Sequence, residues 1–165
     1  MKMSPLQVMH YHFNAISVAV RPGIDIDKTE FGSDVYPLLD SEKLVTSVHL
    51  GAPSGEGDPH QFALLLNVEY IPEKDSHFPY TFSVTVEGVF TIKHDGNIDE
   101  RKKLVVCNGA AILYGAAREQ LLALTARQKF GPMMLPSANF GGMVPESDGR
   151  KRSSAKSRVS RKLAL

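Results

Sequence analysis

The chain of 165 residues has a single cysteine, Cys107, and no tryptophan. One cysteine cannot close a disulfide within the chain, and no cysteine-based zinc site can be built from it. No stretch approaches the roughly 20 apolar residues that a membrane-spanning helix needs. The first residues, "MKMSPLQVMHYHF", carry one lysine and no long apolar run, which is not typical of a signal peptide. These absences predict a cytoplasmic protein without membrane insertion.

Motifs of catalysis are scarce as well. His10 and His12 share one face of a strand, but no third metal ligand accompanies them, so exposed strand histidines are favoured over a metal site. The glycine-rich run "GAPSGEGDP" (51–59) lacks the Gly-Lys-Ser/Thr ending of a P-loop, which favours a hairpin loop. Asp95, Asp99 and Glu100 could pair as an acid and a base, but they lie among Lys93, Arg101, Lys102 and Lys103, which predicts a solvated, self-neutralising turn. No nucleophile, base and oxyanion site come together, so we expect no enzyme, no cofactor and no metal.

The charges are distributed unevenly. Residues 150–165 hold seven of the 19 Lys and Arg residues and no acid. The remainder of the chain therefore carries a net charge of −6, against +7 on this segment. Low hydrophobicity and high net charge are typical of disorder. We expect one folded domain over residues 1–145 and a basic, disordered tail over 146–165.

Four segments have the pattern of strands. Residues 11–20 and 44–50 are rich in β-branched and aromatic side chains. Residues 62–70 and 80–92 alternate apolar with polar positions, which puts one apolar and one wettable face on each strand. This alternation is typical of an antiparallel sheet that is covered on one side. Residues 21–43 are predicted to be mostly loop.

The pattern changes to that of a helix over residues 108–129. Asn108 is a plausible N-cap, and Gly131-Pro132 stops the helix. The predicted apolar stripe consists of Leu113, Ala117, Leu121 and Leu124. Alanines lie on more than one side of this helix. They favour either contact with a second copy of the protein or simply good helix formation.

Two stretches in fixed order, "VEGVFTI" and "CNGAAILYGAAREQLLALTARQKFGPMMLPSANF", resemble the SecB family of export chaperones. The matching residues are Gly88, Phe90, Tyr114, Ala117, Arg118, Glu119, Leu135, Pro136, Asn139 and Phe140. The resemblance implies an α+β fold, with a four-stranded antiparallel sheet and one long helix, that assembles as a dimer of dimers. It implies an ATP-independent holdase, which binds unfolded polypeptides and keeps them competent for export or folding, without catalysis or cofactor.

The resemblance also implies sites. In the family, the segment after the long helix helps to wall an apolar groove for clients. The client-binding residues are predicted to be Tyr80, Phe82, Val84, Met133, Met134, Leu135 and Phe140. The alternative is that Met133 and Leu135 plug the core, and core is favoured for the apolar face of 80–92. The oligomer interface, in a tetramer, is predicted at Leu113, Tyr114, Ala117 and Leu121.

The chain departs from the family pattern after Phe140. Gly141-Gly142 and Pro145 break any second, lid-like helix. The family's acidic tail docks on the SecA motor, whereas this tail is basic, so recruitment by SecA is not expected through that route. An antitoxin is a possible client, since some family members guard one. The alternative function is binding of nucleic acid or ribosomes by the tail, and a merely solubilising tail is a third interpretation.

Overall fold

The computed structural model describes residues 3–32, 36–51 and 58–143. The predicted basic tail, 146–165, lies outside the described residues. Four strands form one sheet: β1 (Leu6–Val20), β2 (Val45–Leu50), β3 (Gln61–Tyr70) and β4 (Tyr80–Ile92). Their order is β1-β4-β3-β2, and every pair of neighbours is antiparallel. The predicted four-stranded antiparallel sheet with a long helix is confirmed.

Strands β3 and β4 alternate between buried and half-buried residues along their whole lengths. Their fully buried side chains lie on one face of the sheet, because β-strand side chains alternate between faces. The other face carries Thr, Ser, Asn and Glu side chains that remain in contact with water. The sequence alternation in these two strands therefore predicted both their limits and their orientation.

Strand β1 begins five residues before its predicted start. Its register against β4 shifts twice, between Val8 and His10 and between Phe13 and Ala15. Each shift inserts an extra residue, so apolar side chains at irregular spacing point to the same face. This irregular spacing concealed the first part of the strand in the sequence.

One continuous helical segment follows the sheet. It consists of α1 (Ile98–Leu104), a π-helical turn (Val105–Gly109) and α2 (Ala110–Thr125). The predicted N-cap at Asn108 is wrong. Asn97 caps the helix instead, in a reciprocal capping box with Glu100. The predicted solvated turn at 93–103 is also wrong in its second half, which forms the first turns of this helix.

The buried guanidinium of Arg101 ties the start of the helix to the sheet. It donates to both carboxylate oxygens of Asp58, at 2.6 and 2.9 Å. It also donates to the carbonyl oxygens of Pro59 and Gly96. Hydrogen bonding from Arg101 lowers the pKa of the Asp58 carboxyl below its ordinary value. The charge of Arg101 is thus paired, which allows its burial.

Helix α2 packs on β3 and β4 through Leu113, Ala117 and Leu121, as the predicted stripe required. Leu124, the fourth member of that stripe, is 41% exposed, and Thr125 is buried in its place. The sheet makes room for this helix at Gly88. A Cβ atom at Gly88 would lie 2.9 Å from the Leu113 Cδ2 atom, which explains why a glycine stands in the middle of a strand.

Helix α2 ends at Thr125, with Ala126 as its C-cap, so the prediction of a helix that continues to residue 129 and is stopped by Gly131-Pro132 is wrong at this end. After a few turn residues the chain folds back over the helix as an apolar strap, residues 130–143, and Gly131 takes a φ of 76°, which suits glycine, at its start. The Met133 N–H donates to the hydroxyl of Thr125 at 2.9 Å, and the Tyr114 hydroxyl donates to the Pro136 carbonyl at 2.8 Å. These bonds satisfy backbone groups that would otherwise be buried without partners.

Candidate functional site

The structure places the predicted client-binding side chains inside the single chain. The buried members of that set are Tyr80, Phe82, Val84, Met133, Leu135 and Phe140. Met134 alone is half-buried. The alternative of a core plug therefore describes Met133 and Leu135 in the folded chain, because their side chains are already occupied by contacts with the helix and the sheet.

The predicted oligomer-interface residues are placed in the same interior. Helix α2 buries Leu113, Ala117 and Leu121 against the sheet. Its Tyr114 ring packs against Phe140, with the ring centroids 5.6 Å apart. Burial raises the pKa of Tyr114 to about 12. These side chains support the fold of one chain, and their role in an oligomer interface stays a prediction.

An open concavity lies elsewhere, at the end of the sheet where β3 finishes and β4 begins. It is formed by two connections, residues 21–44 and 71–79, and has a volume of about 450 Å³. We call it the loop groove. It is lined by Glu30, Leu38, Leu39, Asp40, Tyr70, Asp75, Ser76, His77 and Phe78.

The floor of the loop groove is aromatic. The rings of Tyr70 and Phe78 meet edge to face, with their centroids 5.0 Å apart. Tyr70 also stacks on Phe82, so the floor is continuous with the hydrophobic core. Burial raises the pKa of Tyr70 above its ordinary value, which keeps the phenol neutral. Both floor residues are therefore buried core residues, Tyr70 at 2% and Phe78 at 5% exposure.

Arg21 holds the two connections together. Its guanidinium donates to the carbonyl oxygens of Glu73, Ser76 and Phe78 at 2.7 to 2.8 Å. Three charge-assisted hydrogen bonds to backbone fix the path of the 71–79 connection. An exposed ion pair between Lys43 and Glu73 joins the same two connections.

A short backbone clasp shapes the other wall. The N–H of Leu38 donates to the Glu30 carbonyl at 2.8 Å, and an antiparallel bridge joins Phe31 to Pro37. This clasp projects Leu38 outwards, and its side chain is 57% exposed. The wall of the groove is therefore an apolar side chain on a loop that is held by its backbone.

The two connections that form the groove also expose apolar side chains. Four of the exposed large hydrophobic residues belong to its two connections: Ile26, Phe31, Leu38 and Ile71. Ile71 is 68% exposed. Single exposed apolar residues are ordinary, but Leu38 is an exposed apolar side chain that lines a concavity, which favours a binding surface.

The rim of the groove is acidic. Glu30, Asp40 and Asp75 line it, and none of the described lining residues is Lys or Arg. An apolar floor with a carboxylate rim suits an apolar segment that carries cationic side chains. The same lining offers hydrogen-bond acceptors at Ser76 and His77.

The described residues provide little for chemistry on a substrate. Within them, no three His, Cys, Asp or Glu side chains are grouped so that they could hold a metal ion. His10 and His12 stack with ring centroids 6.3 Å apart, and the His12 Nε2 lies 3.9 Å from the Glu87 carboxylate. Over the same residues, no helix combines the length and the apolar character that crossing a membrane requires.

No pattern in the sequence predicted the loop groove. Its apolar residues occur in connections, where neither helical nor strand periodicity marks them. The signal was the length of the first connection, 24 residues between β1 and β2, whose described residues form two short 3-10 turns and no longer helix or strand. Connections of more than about 12–15 residues without regular structure are usually functional or disordered.

Comparison with known proteins gives one informative result. No protein-family model matches the chain, and no curated protein matches it in sequence. Among solved structures, the chain is similar to the SecB-like chaperone Rv1957 of Mycobacterium tuberculosis, solved in complex with a ChAD peptide from the antitoxin HigA1 (Rv1956). The identity is 16%, the TM-score is 0.54, and the match covers 82% of this chain and 88% of that one. The fold is thus SecB-like.

Proposed function

We propose that the protein is an ATP-independent holdase that binds unfolded or extended polypeptides in the loop groove. The observation that carries the proposal is the concavity itself, where the exposed Leu38 stands over a floor of the core residues Tyr70 and Phe78, between loops that expose further apolar side chains. The SecB-like fold supports it, since the similar structure is that of a chaperone.

The binding follows from the chemistry of the groove. Apolar side chains of a client leave water when they pack on Leu38 and Leu39, the lining residues whose apolar surface is still in water, at roughly 25 cal/mol per Å² of apolar surface buried. A concavity of about 450 Å³ holds a few side chains at a time. Each contact is weak, and a client that stays unfolded offers many such segments, so retention depends on repeated binding. Binding and release of a client by this groove need neither catalysis nor a cofactor.

The acidic rim refines the choice of client. Carboxylates at Glu30, Asp40 and Asp75 favour extended segments in which Lys or Arg flanks the apolar residues. Export precursors and antitoxins are both candidate clients. The antitoxin is supported by the similar structure, which holds an antitoxin peptide.

We further propose that copies of the chain assemble, as a tetramer, through the uncovered part of β1 and the helix. Val8, Tyr11 and Ile16 are paired with β4 residues on the core face of the sheet, yet they are exposed, Tyr11 by 48%. Ile112 and Leu124 are exposed on the helix. The same face of a second copy matches this surface, because a two-fold interface needs only a self-complementary patch.

The test of the holdase proposal is the double substitution Leu38→Ser and Ile71→Ser. Both side chains are exposed, so the free energy of unfolding should change little, whereas suppression of aggregation of an unfolded reporter should weaken. The matched control is Met9→Ser, which removes an exposed apolar side chain from β1. If the double variant protects the reporter as well as the unaltered protein does, the loop groove is not the client site.

A further inference from the structure

We propose that the basic segment 150–165 of the same chain docks in the loop groove, where it competes with clients. The inference rests on the proposed function only in naming the competitor as a client. Docking itself is a statement about the segment and the groove, and it can be tested without a client.

The charges of the groove and of the basic segment are complementary. The described parts of the two connections that form the groove contain seven acidic and four basic residues. The acidic residues are Asp25, Asp27, Glu30, Asp40, Glu42, Glu73 and Asp75. Two of the four basic residues are engaged, since Arg21 binds backbone carbonyls and Lys43 pairs with Glu73. The segment 150–165 has seven basic residues and no acidic one.

The basic segment contains apolar residues as well. Val159, Leu163 and Leu165 are interspersed with Arg and Lys. In an extended chain, residues an even number of positions apart share a face, so these three side chains point the same way. Leu38 and Leu39 offer apolar surface in the lining of the groove. Basic residues that flank apolar ones are also the chemistry that the acidic rim favours in a client.

The basic segment is also long enough to reach the groove. Met143, the last described residue, lies near Cys107, and Gly109 lies against Leu64. Tyr70 follows Leu64 by six residues of strand, which is about 20 Å at the rise of a β-strand. The contacts from Met143 to Leu64 add to this distance, but residues 144–158 span up to about 50 Å when extended, so the apolar part of the segment, residues 159–165, lies within range of the groove.

A tethered segment needs only a modest affinity to compete. Attachment to the same molecule gives an effective concentration in the millimolar range for a short flexible linker. The rim carboxylates are exposed, so salt should screen their attraction for the segment. The docked segment would therefore exclude clients that bind weakly, whereas clients that bind tightly would displace it.

The decisive experiment measures docking directly. In full-length protein, all seven basic residues of 150–165 are replaced by Ser, and a synthetic peptide with the natural sequence of 150–165 is added. Methyl resonances of Leu38, Leu39 and Ile71 should shift in a saturable manner, and the dissociation constant should rise severalfold with increasing salt. Unshifted groove methyls at millimolar peptide, or shifts confined to β1, would overturn the proposal.

Matched charge variants locate the binding. Glu30→Gln with Asp75→Asn removes two carboxylates from the rim and should weaken peptide binding at least fivefold. Asp95→Asn with Asp99→Asn removes two exposed carboxylates beyond the far end of β4 and should leave binding within twofold. Equal losses in the two pairs would show nonspecific attraction to an acidic protein and would contradict docking in the groove.

A client assay separates this inference from the proposed function. The protein with a neutral segment should bind an unfolded, uncharged reporter polypeptide more tightly than the unaltered protein does. If neither protein binds the reporter, the holdase proposal fails, while the methyl shifts still decide whether the segment docks. If both bind it equally and the methyls do not shift, the docking inference alone fails. A segment that binds only RNA would give that second result.

Discussion

The strap and the loop groove are two ways in which connections of one chain meet the same hydrophobic core. The strap, residues 130–143, buries Phe130, Met133, Leu135 and Phe140 and closes one part of the molecule. The groove connections leave Ile26, Phe31, Leu38 and Ile71 in contact with water. Both are rich in apolar residues, so composition alone does not decide which connection is buried.

The difference lies in how the backbone is anchored. Thr125 accepts from the strap at Met133, and Tyr114 and Tyr80 donate to its carbonyls. Hydrogen bonds from buried side chains let the strap backbone leave water, and its apolar side chains follow. The groove connections are held by Arg21 at their base and by each other, so their outer parts remain on the surface.

The largest expected effect belongs to the strap. Met133→Ala should lower the free energy of unfolding by about 2–5 kcal/mol, because Met133 is only 1% exposed and its removal leaves a cavity. Denaturant unfolding measures the change. The matched control is Met134→Ala, one residue along and half-buried, which should cost clearly less. Equal costs at the two positions would contradict the assignment of the strap as core.

A smaller loss is expected where the helix crosses the sheet. Gly88→Ala should cost about 1–3 kcal/mol, because the new Cβ would lie 2.9 Å from Leu113 and from Phe90. Gly115→Ala is the control, since a Cβ there meets no atom within 4 Å and alanine favours the helix. It should raise the melting temperature, and a Gly88→Ala protein as stable as the original would show that the helix can shift without cost.

Acid should weaken the ion pair between Asp58 and Arg101 at the start of the helix. The lowered pKa of Asp58 means that its ion pair stabilises the fold fully above the ordinary carboxyl pKa of about 3.9. This stabilisation is lost as the pH falls through the lower, folded-state pKa. Asp58→Asn should therefore destabilise the protein at pH 7, with a difference from the original that shrinks below about pH 4. A difference that does not depend on pH would rule out the charge of Asp58 as its source.

How far the sequence predicted these features depended on the kind of signal. Strict alternation placed β4 to the residue and β3 to within one residue, and the apolar spacing of Leu113, Ala117 and Leu121 placed the buried face of the helix. The start of the helix was wrong because the Asn97–Glu100 capping box was interpreted as part of a charged turn. The groove has no periodic signal, since tertiary contacts such as those of Arg21 determine which loop residues stay exposed.

The smallest effect on stability is expected in the groove, and it tests the comparison most directly. Leu38→Ser should change the free energy of unfolding by no more than about 0.5 kcal/mol, since surface substitutions rarely do more. The reason is that 57% of the side chain is already in water. Thermal and denaturant unfolding, run beside Met133→Ala, measure the contrast. Should Leu38→Ser unfold as easily as Met133→Ala, the groove connections would be part of the core, and the contrast between an open and a closed connection would no longer hold.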